Sequence, residues 1–284
     1  MNIALVTDSS ADILSHEEET LNVVVVRDPI QIDGIDYLEE VDITLQQITD
    51  ALNAGKEAKT AMPRTGDIIE TFDRLLDQGF DHIIYIPIME SLAGAYSNGM
   101  NIANMDEYLH KVTVINAKSV SAPLYFVLKD IQVLIKQGKS PLEIKEKVEQ
   151  QSTIDAVLLP ATLSFLAKGG RINPTIATLG NMIKIIPLLA VSQQGISLEE
   201  KKRTLRKAIP YAVETVIKRN QPASDYHWVI VYGDVEQPLK DDMRAAMVEH
   251  LGPNVEIETR KLGSVIMCHT GPQSIAIACS KKLA

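Results

Sequence analysis

The sequence predicts an α/β protein of two domains, 1–152 and 153–284, with parallel βα units in the first and a mixed sheet in the second. Three observations carry this reading. A chain of 284 residues exceeds the usual size of one domain and can bury two sizeable cores. Short apolar runs rich in valine and isoleucine alternate with helical patterns, which is how βα units read in sequence. No internal repeat or low-complexity tract interrupts the alternation.

In the first half, strands are expected at 3–7, 23–27, 83–87 and 111–115, each apolar enough to be buried on both faces. Helices are expected at 44–53, 66–77, 92–108, 123–136 and 141–151, the last with Ser140 as N-cap and Pro141 in its first turn. The domain boundary falls near 151–153, where this charged helix gives way to a buried strand at 155–159. The second half offers strands at 183–191, 228–232, 255–258 and 264–268, with helices at 202–218, 238–250 and 272–281. Gln194-Gly195 reads as a hairpin turn, and a hairpin makes the second sheet mixed.

Composition removes several function classes. A formal net charge of -9 argues against a nucleic-acid groove or an anionic membrane surface, since both need clustered cations. No segment reaches membrane-spanning length without a charge or a proline, and the N-terminus reads as a strand, so a cytoplasmic protein is expected, with transient membrane contact at most. Cys268 and Cys279 lie in apolar stretches without metal-ligand spacing and are expected as buried free thiols; no metal or cofactor is expected.

Four places join a strand end, small residues and a following helix, an arrangement that offers backbone N–H groups to an anion. In Thr7-Asp8-Ser9-Ser10-Ala11-Asp12, Asp8 and Ser9 are candidates, and a capped turn without a ligand explains them equally well. In Thr60-Ala61-Met62-Pro63-Arg64-Thr65-Gly66-Asp67, Thr65 is a natural N-cap and Thr60 a spare hydroxyl. Residues 90–97 contain Ala93 and Gly94, small enough for a ligand to approach the backbone, although tight helix packing asks for the same residues. Last, Cys268-His269-Thr270-Gly271-Pro272 is expected to carry His269 from a strand end to a turn that opens the final helix; of the six histidines it is the one placed for function. Lys168-Gly169-Gly170-Arg171-Ile172-Asn173-Pro174 sets cations around two glycines, and the charge run 199–207 holds Arg203; both read equally as solvated segments. With no P-loop, dinucleotide fingerprint, nucleophile elbow or zinc motif, spacing alone supports a small-anion binder and no catalytic set.

Taken together, these segments resemble the DegV family in order and spacing over nearly the whole chain. The strongest marks are Lys168-Gly169-Gly170-Arg171-Ile172, a strand-turn-helix from Pro187 through Gly195 to Arg203, and His269-Thr270-Gly271-Pro272. The resemblance implies a DegV-like fold, with an N-terminal three-layer parallel-sheet domain and a C-terminal mixed-sheet domain. It further implies a long-chain fatty acid between the domains, its carboxylate held by a threonine, a serine and a histidine. The protein would be the non-catalytic, acyl-presenting subunit of a fatty acid kinase whose other subunit brings ATP. By position the threonine is Thr60, the histidine is His269, and the arginines of the docking and phosphotransfer face are Arg171 and Arg203.

Departures from the family pattern bear on the head group. Thr60-Ala61-Met62-Pro63-Arg64 replaces Thr-Ser-Gln-Pro-Ser, and Leu92-Ala93-Gly94-Ala95-Tyr96 replaces Leu-Ser-Gly-Thr-Tyr, so the carboxylate serine is Ala93 here. Ile186 stands for the usual lysine and Gln273 for a glycine. Arg64 is a candidate substitute donor, and a solvated helix-start arginine is the plainer account. Two other readings stand beside the first: a lipid carrier or sensor without a kinase, and a small-ketone site like that of dihydroxyacetone kinase.

Overall fold

The Ile3-Ala4-Leu5-Val6 run forms β1 (Ile3–Asp8), which pairs in parallel with β2 (Val24–Val26) on one side and β6 (His82–Ile86) on the other; β7 (Val112–Val114) completes the order β2-β1-β6-β7. Alternation divides the central strands between two cores. Ile3, Leu5, Ile84 and Ile86 face one, and Ala4, Val6, Ile83 and Tyr85 face the other. Helices α3 (Thr65–Asp77) and α4 (Ala95–Ala103) cover the second face. The first is covered by α2 (Leu45–Asn53), α5 (Ser121–Lys136) and α6 (Pro141–Gln151), with the short α1 (Ser15–Leu21) at its margin. Ser140 caps α6 as expected: its hydroxyl accepts the Glu143 N–H while the Glu143 carboxylate accepts the Ser140 N–H. This computed structural model describes residues 1–178 and 185–284.

A second, antiparallel sheet of order β4-β3-β5 joins β3 (Pro29–Ile32), β4 (Ile35–Leu38) and β5 (Ala58–Thr60). It has no counterpart among the expected elements, although Asp33-Gly34 marks its hairpin. Both residues take positive φ (49° and 84°), as a type I′ turn requires. The sheet ends β5 on Thr60.

The C-terminal sheet runs β10-β9-β8-β13-β11-β12 from β8 (Ile154–Pro160), β9 (Ile186–Ser192), β10 (Gly195–Lys202), β11 (Tyr226–Tyr232), β12 (Ile257–Lys261) and β13 (Ser274–Lys281). Among neighbouring strands of this sheet only β11 and β12 pair in parallel, and the Gln194-Gly195 hairpin joins β9 to β10. Its outer face packs Val157, Leu159, Trp228, Ile230, Ile275 and Ile277 against α9 (Leu205–Arg219) and α10 (Gln237–Leu251). The inner face, turned to the N-terminal half, carries Ala156, Ala276 and Ala278. Small side chains there leave room between the halves.

Two expected elements are reversed. Residues 264–268, read as a strand from Val265 and Ile266, belong to helix α11 (Ser264–Thr270), which buries Met267 and Cys268 and ends at Gly271, φ 86°, whose N–H bonds the Met267 carbonyl. Residues 272–281, expected as a final helix opened by the Gly-Pro turn, instead hold the strand β13 from Ser274 on. That strand is paired on both edges, by β8 and β11, and seven of its eight residues are buried. Its Ile-Ala-Ile-Ala alternation serves two different faces. His269 therefore stands in the last turn of a helix, not at a strand end before a helix N-terminus. Smaller shifts follow the same logic: residues 195–202 extend a strand, so α9 starts at Leu205, and α4 covers only part of 92–108. The first two residues of the strand expected at 183–191 lie outside the described residues. Short α7 (Ser164–Lys168) and α8 (Pro174–Ala177) flank the glycine pair Gly169-Gly170. Cys268 and Cys279 are both buried free thiols, the first pushed up to about 12 by burial. Among the described residues no helix is long and apolar enough to cross a membrane.

Candidate ligand-binding site

A cavity of about 980 Å³, its mouth included, lies between residues of the first half and residues of the second. Leu92, Ile154, Leu158, Val191, Val231 and Ile266 make most of its wall apolar, and the alanines of β8 and β13 hold the space open. Both layers must be in place before the cavity exists.

The polar lining includes Thr60, Arg171 and His269. Thr60, at the end of β5, and His269, in α11, meet with Oγ1 and Nε2 2.7 Å apart. Gly169 allows this: a Cβ at that position would lie 2.4 Å from the imidazole Nδ1. Burial first, and the Arg171 charge second, lower the His269 pKa to about 4, so the ring is neutral near pH 7. Its Nδ1 is buried with no hydrogen-bond partner among the described residues. Arg171 is half-buried, donates to the Gly169 carbonyl, and has its own pKa lowered by burial. A hydroxyl, a neutral imidazole and a guanidinium on one apolar wall can receive a carboxylate: with the imidazole Nε2–H donating to Thr60 Oγ1, the Thr60 hydroxyl is free to donate to the carboxylate, and the guanidinium supplies charge.

Other candidate residues fall in different places. Ala93 lines the cavity, whereas Gly94 beside it is the exposed N-cap of α4, facing the Met62 sulfur at 3.8 Å from a Cβ built there. Asp8 also lines the cavity, but its oxygens are bonded inward: Oδ1 accepts from the Ser10 N–H and hydroxyl, and Oδ2 from the Ile88 N–H. Ser9 is buried beneath, its Oγ accepting the Asp28 N–H at 2.9 Å. Arg64 is an exposed helix-start residue of α3 outside the cavity lining, and Arg203 is exposed in the link from β10 to α9. Sequence reasoning passed over Asp28 and Ser121, both in the wall. A charge at the end of the apolar run Val23-Val24-Val25-Val26 was the available signal for Asp28.

Fold and site together define an α/β protein with a largely apolar ligand chamber between its N-terminal and C-terminal halves. The chain belongs to the DegV family, whose model, described as an uncharacterised protein family, matches residues 2–282. A DegV domain-containing protein of Lactococcus lactis, YqaC, is 30% identical over 285 residues, covering 99% of this chain and all of that one. Among solved structures, a fatty acid binding DegV family protein of Streptococcus agalactiae superposes with a TM-score of 0.85 at 26% identity, covering 99% of each chain. A stearic-acid-binding protein of Eubacterium ventriosum shares the fold at a TM-score of 0.87 and 20% identity over 99% of each chain.

Proposed function

We propose that this protein binds a long-chain fatty acid in the chamber, with the carboxylate at Thr60 and His269, and presents it as a non-catalytic subunit to an ATP-binding kinase subunit in the cytoplasm. The observation that carries the reading is the Thr60–His269 pair set in the wall of an otherwise apolar cavity. Each buried methylene contributes about 0.8 kcal/mol, so a long acyl chain supplies on the order of 10 kcal/mol before ordering costs. A triose-like ketone would leave most of the wall unused, which favours the acyl reading over the small-ketone one. The solved relatives named for fatty acid binding support the same choice. In this reading Arg171 adds charge beside the head group, and Arg203, exposed, meets the partner.

Native mass spectrometry of the purified protein, followed by extraction, tests the lipid. A stoichiometric fatty acid is expected, and added fatty acid at a hundred times its Kd should stabilise the fold by about 2.7 kcal/mol. The absence of both co-purifying lipid and stabilisation by any fatty acid would sink the reading. Acyl-phosphate formation with a cognate kinase and ATP separates presentation to a kinase from simple carriage.

A further inference from the structure

We propose that Asp28 forms a second polar contact inside the chamber and selects an acyl chain that carries a hydroxyl group, an inference that rests on the fatty-acid reading above. Asp28 lies in the cavity wall, is 5% exposed, and has a carboxyl oxygen, Oδ1, with no hydrogen-bond partner among the described residues. Asp8, its neighbour in the wall, differs: both of its oxygens are occupied by Ser10 and Ile88. The cap at the end of β1 thus accounts for Asp8 and leaves Asp28 unexplained.

Position ties Asp28 to the head-group end of a bound chain. Ile30 pairs with Thr60, and the Ala61 N–H bonds the Pro29 carbonyl, so the ladder continues toward Asp28. Asp28 directly precedes β3, two residues and about 7 Å of extended chain from Ile30. Burial foremost, with the charges of Asp8 and Glu39, pushes its carboxyl well above the ordinary aspartate range. In either protonation state Oδ1 can accept a hydrogen bond, and the protonated carboxyl also donates one. A saturated or unsaturated hydrocarbon chain answers neither function, and a keto or epoxide oxygen answers only the donor. A hydroxyl both accepts and donates, so it satisfies the group that apolar packing would leave unpaired.

Competition binding tests this with stearic acid and a series of hydroxystearic acids in which the hydroxyl is stepped along the chain. In the wild type one isomer should bind about two- to tenfold more tightly than stearic acid. Asp28→Asn, which keeps a donor and an acceptor, should retain that preference. Asp28→Leu should abolish it and bind stearic acid more tightly than the wild type does; Asp28→Ala serves for the loss of preference if the leucine variant does not fold. Stearic acid binding with no hydroxylated isomer binding better overturns the inference while leaving the fatty-acid reading intact, as does a preference that survives both apolar variants. Binding of neither class overturns both together.

Discussion

Gly169→Ala separates the head-group contact from the rest of the chamber. At Gly169 φ is -74°, so alanine is permitted by the backbone and only its methyl group is new. That methyl would lie 2.4 Å from the His269 Nδ1, closer than atoms can approach, and a tight 3.2 Å from Cε1, so the ring must move. The 2.7 Å contact with Thr60 cannot survive such a displacement. A hydrogen bond to a charged group contributes about 1.5–3 kcal/mol, so fatty acid affinity should fall about ten- to a hundredfold. Stability should change little, because alanine at a compatible φ lowers the entropy of the unfolded chain, worth about 0.4–1 kcal/mol, and offsets part of the repacking. Direct titration with a fatty acid, beside a thermal melt of the ligand-free protein, reads both quantities. In a His269→Ala background the same substitution should have no further effect, since the two act on one contact. Wild-type affinity in a folded Gly169→Ala variant would refute the placement of the carboxylate at His269.

Ala93→Ser should restore a hydroxyl to the cavity wall and tighten fatty acid binding, by at most about ten- to a hundredfold if it reaches the carboxylate; Arg64→Ala, at an exposed position, should leave the same titration unchanged. Acid should expose the buried imidazole. With a folded pKa of about 4 against an ordinary 6.5, the unfolded chain binds more protons between these values, so His269 lowers stability as pH falls through that window. Asp12, pushed up to about 7 by burial, acts in the opposite sense, so the measurement is a difference: between pH 6.5 and 4, His269→Gln should lose less stability than wild type, by up to about 3 kcal/mol in denaturant titrations. Arg171→Ala should weaken fatty acid binding because it removes the charge beside His269, whereas Arg203→Ala should spare affinity and slow acyl phosphorylation by a cognate kinase; equal losses in both variants and both assays would contradict this division.

Much of the molecule was legible wherever a local rule decided the outcome. The Ser140 cap with Pro141, the Gln194-Gly195 hairpin and the central β-branched strands follow from neighbours a few residues apart, and the structure contains them. The candidate residues Thr60, Ala93, Arg171 and His269 were recognisable as short motifs, yet nothing local shows that they share one cavity. Arg64 and Arg203 have the same residue chemistry as Arg171 and lie outside it, because exposure depends on what packs over a side chain.

The sequence by itself determined the alternation of elements, their caps and turns, and the apolar faces that must be covered, since each depends on backbone geometry and side-chain type over a few residues. Only the tertiary structure decided that 264–270 coil as a helix despite Val265 and Ile266, and that 274–281 become a central strand, where pairing on both edges outweighs the weak helix preference of alanine. It alone brought Thr60 within 2.7 Å of a histidine 209 residues away and fitted that imidazole against a glycine that leaves room for it. It also turned the small face of β13 toward the chamber and its large face toward α9 and α10, a choice of side that period-two alternation offers but that only the packing partners on each face can make.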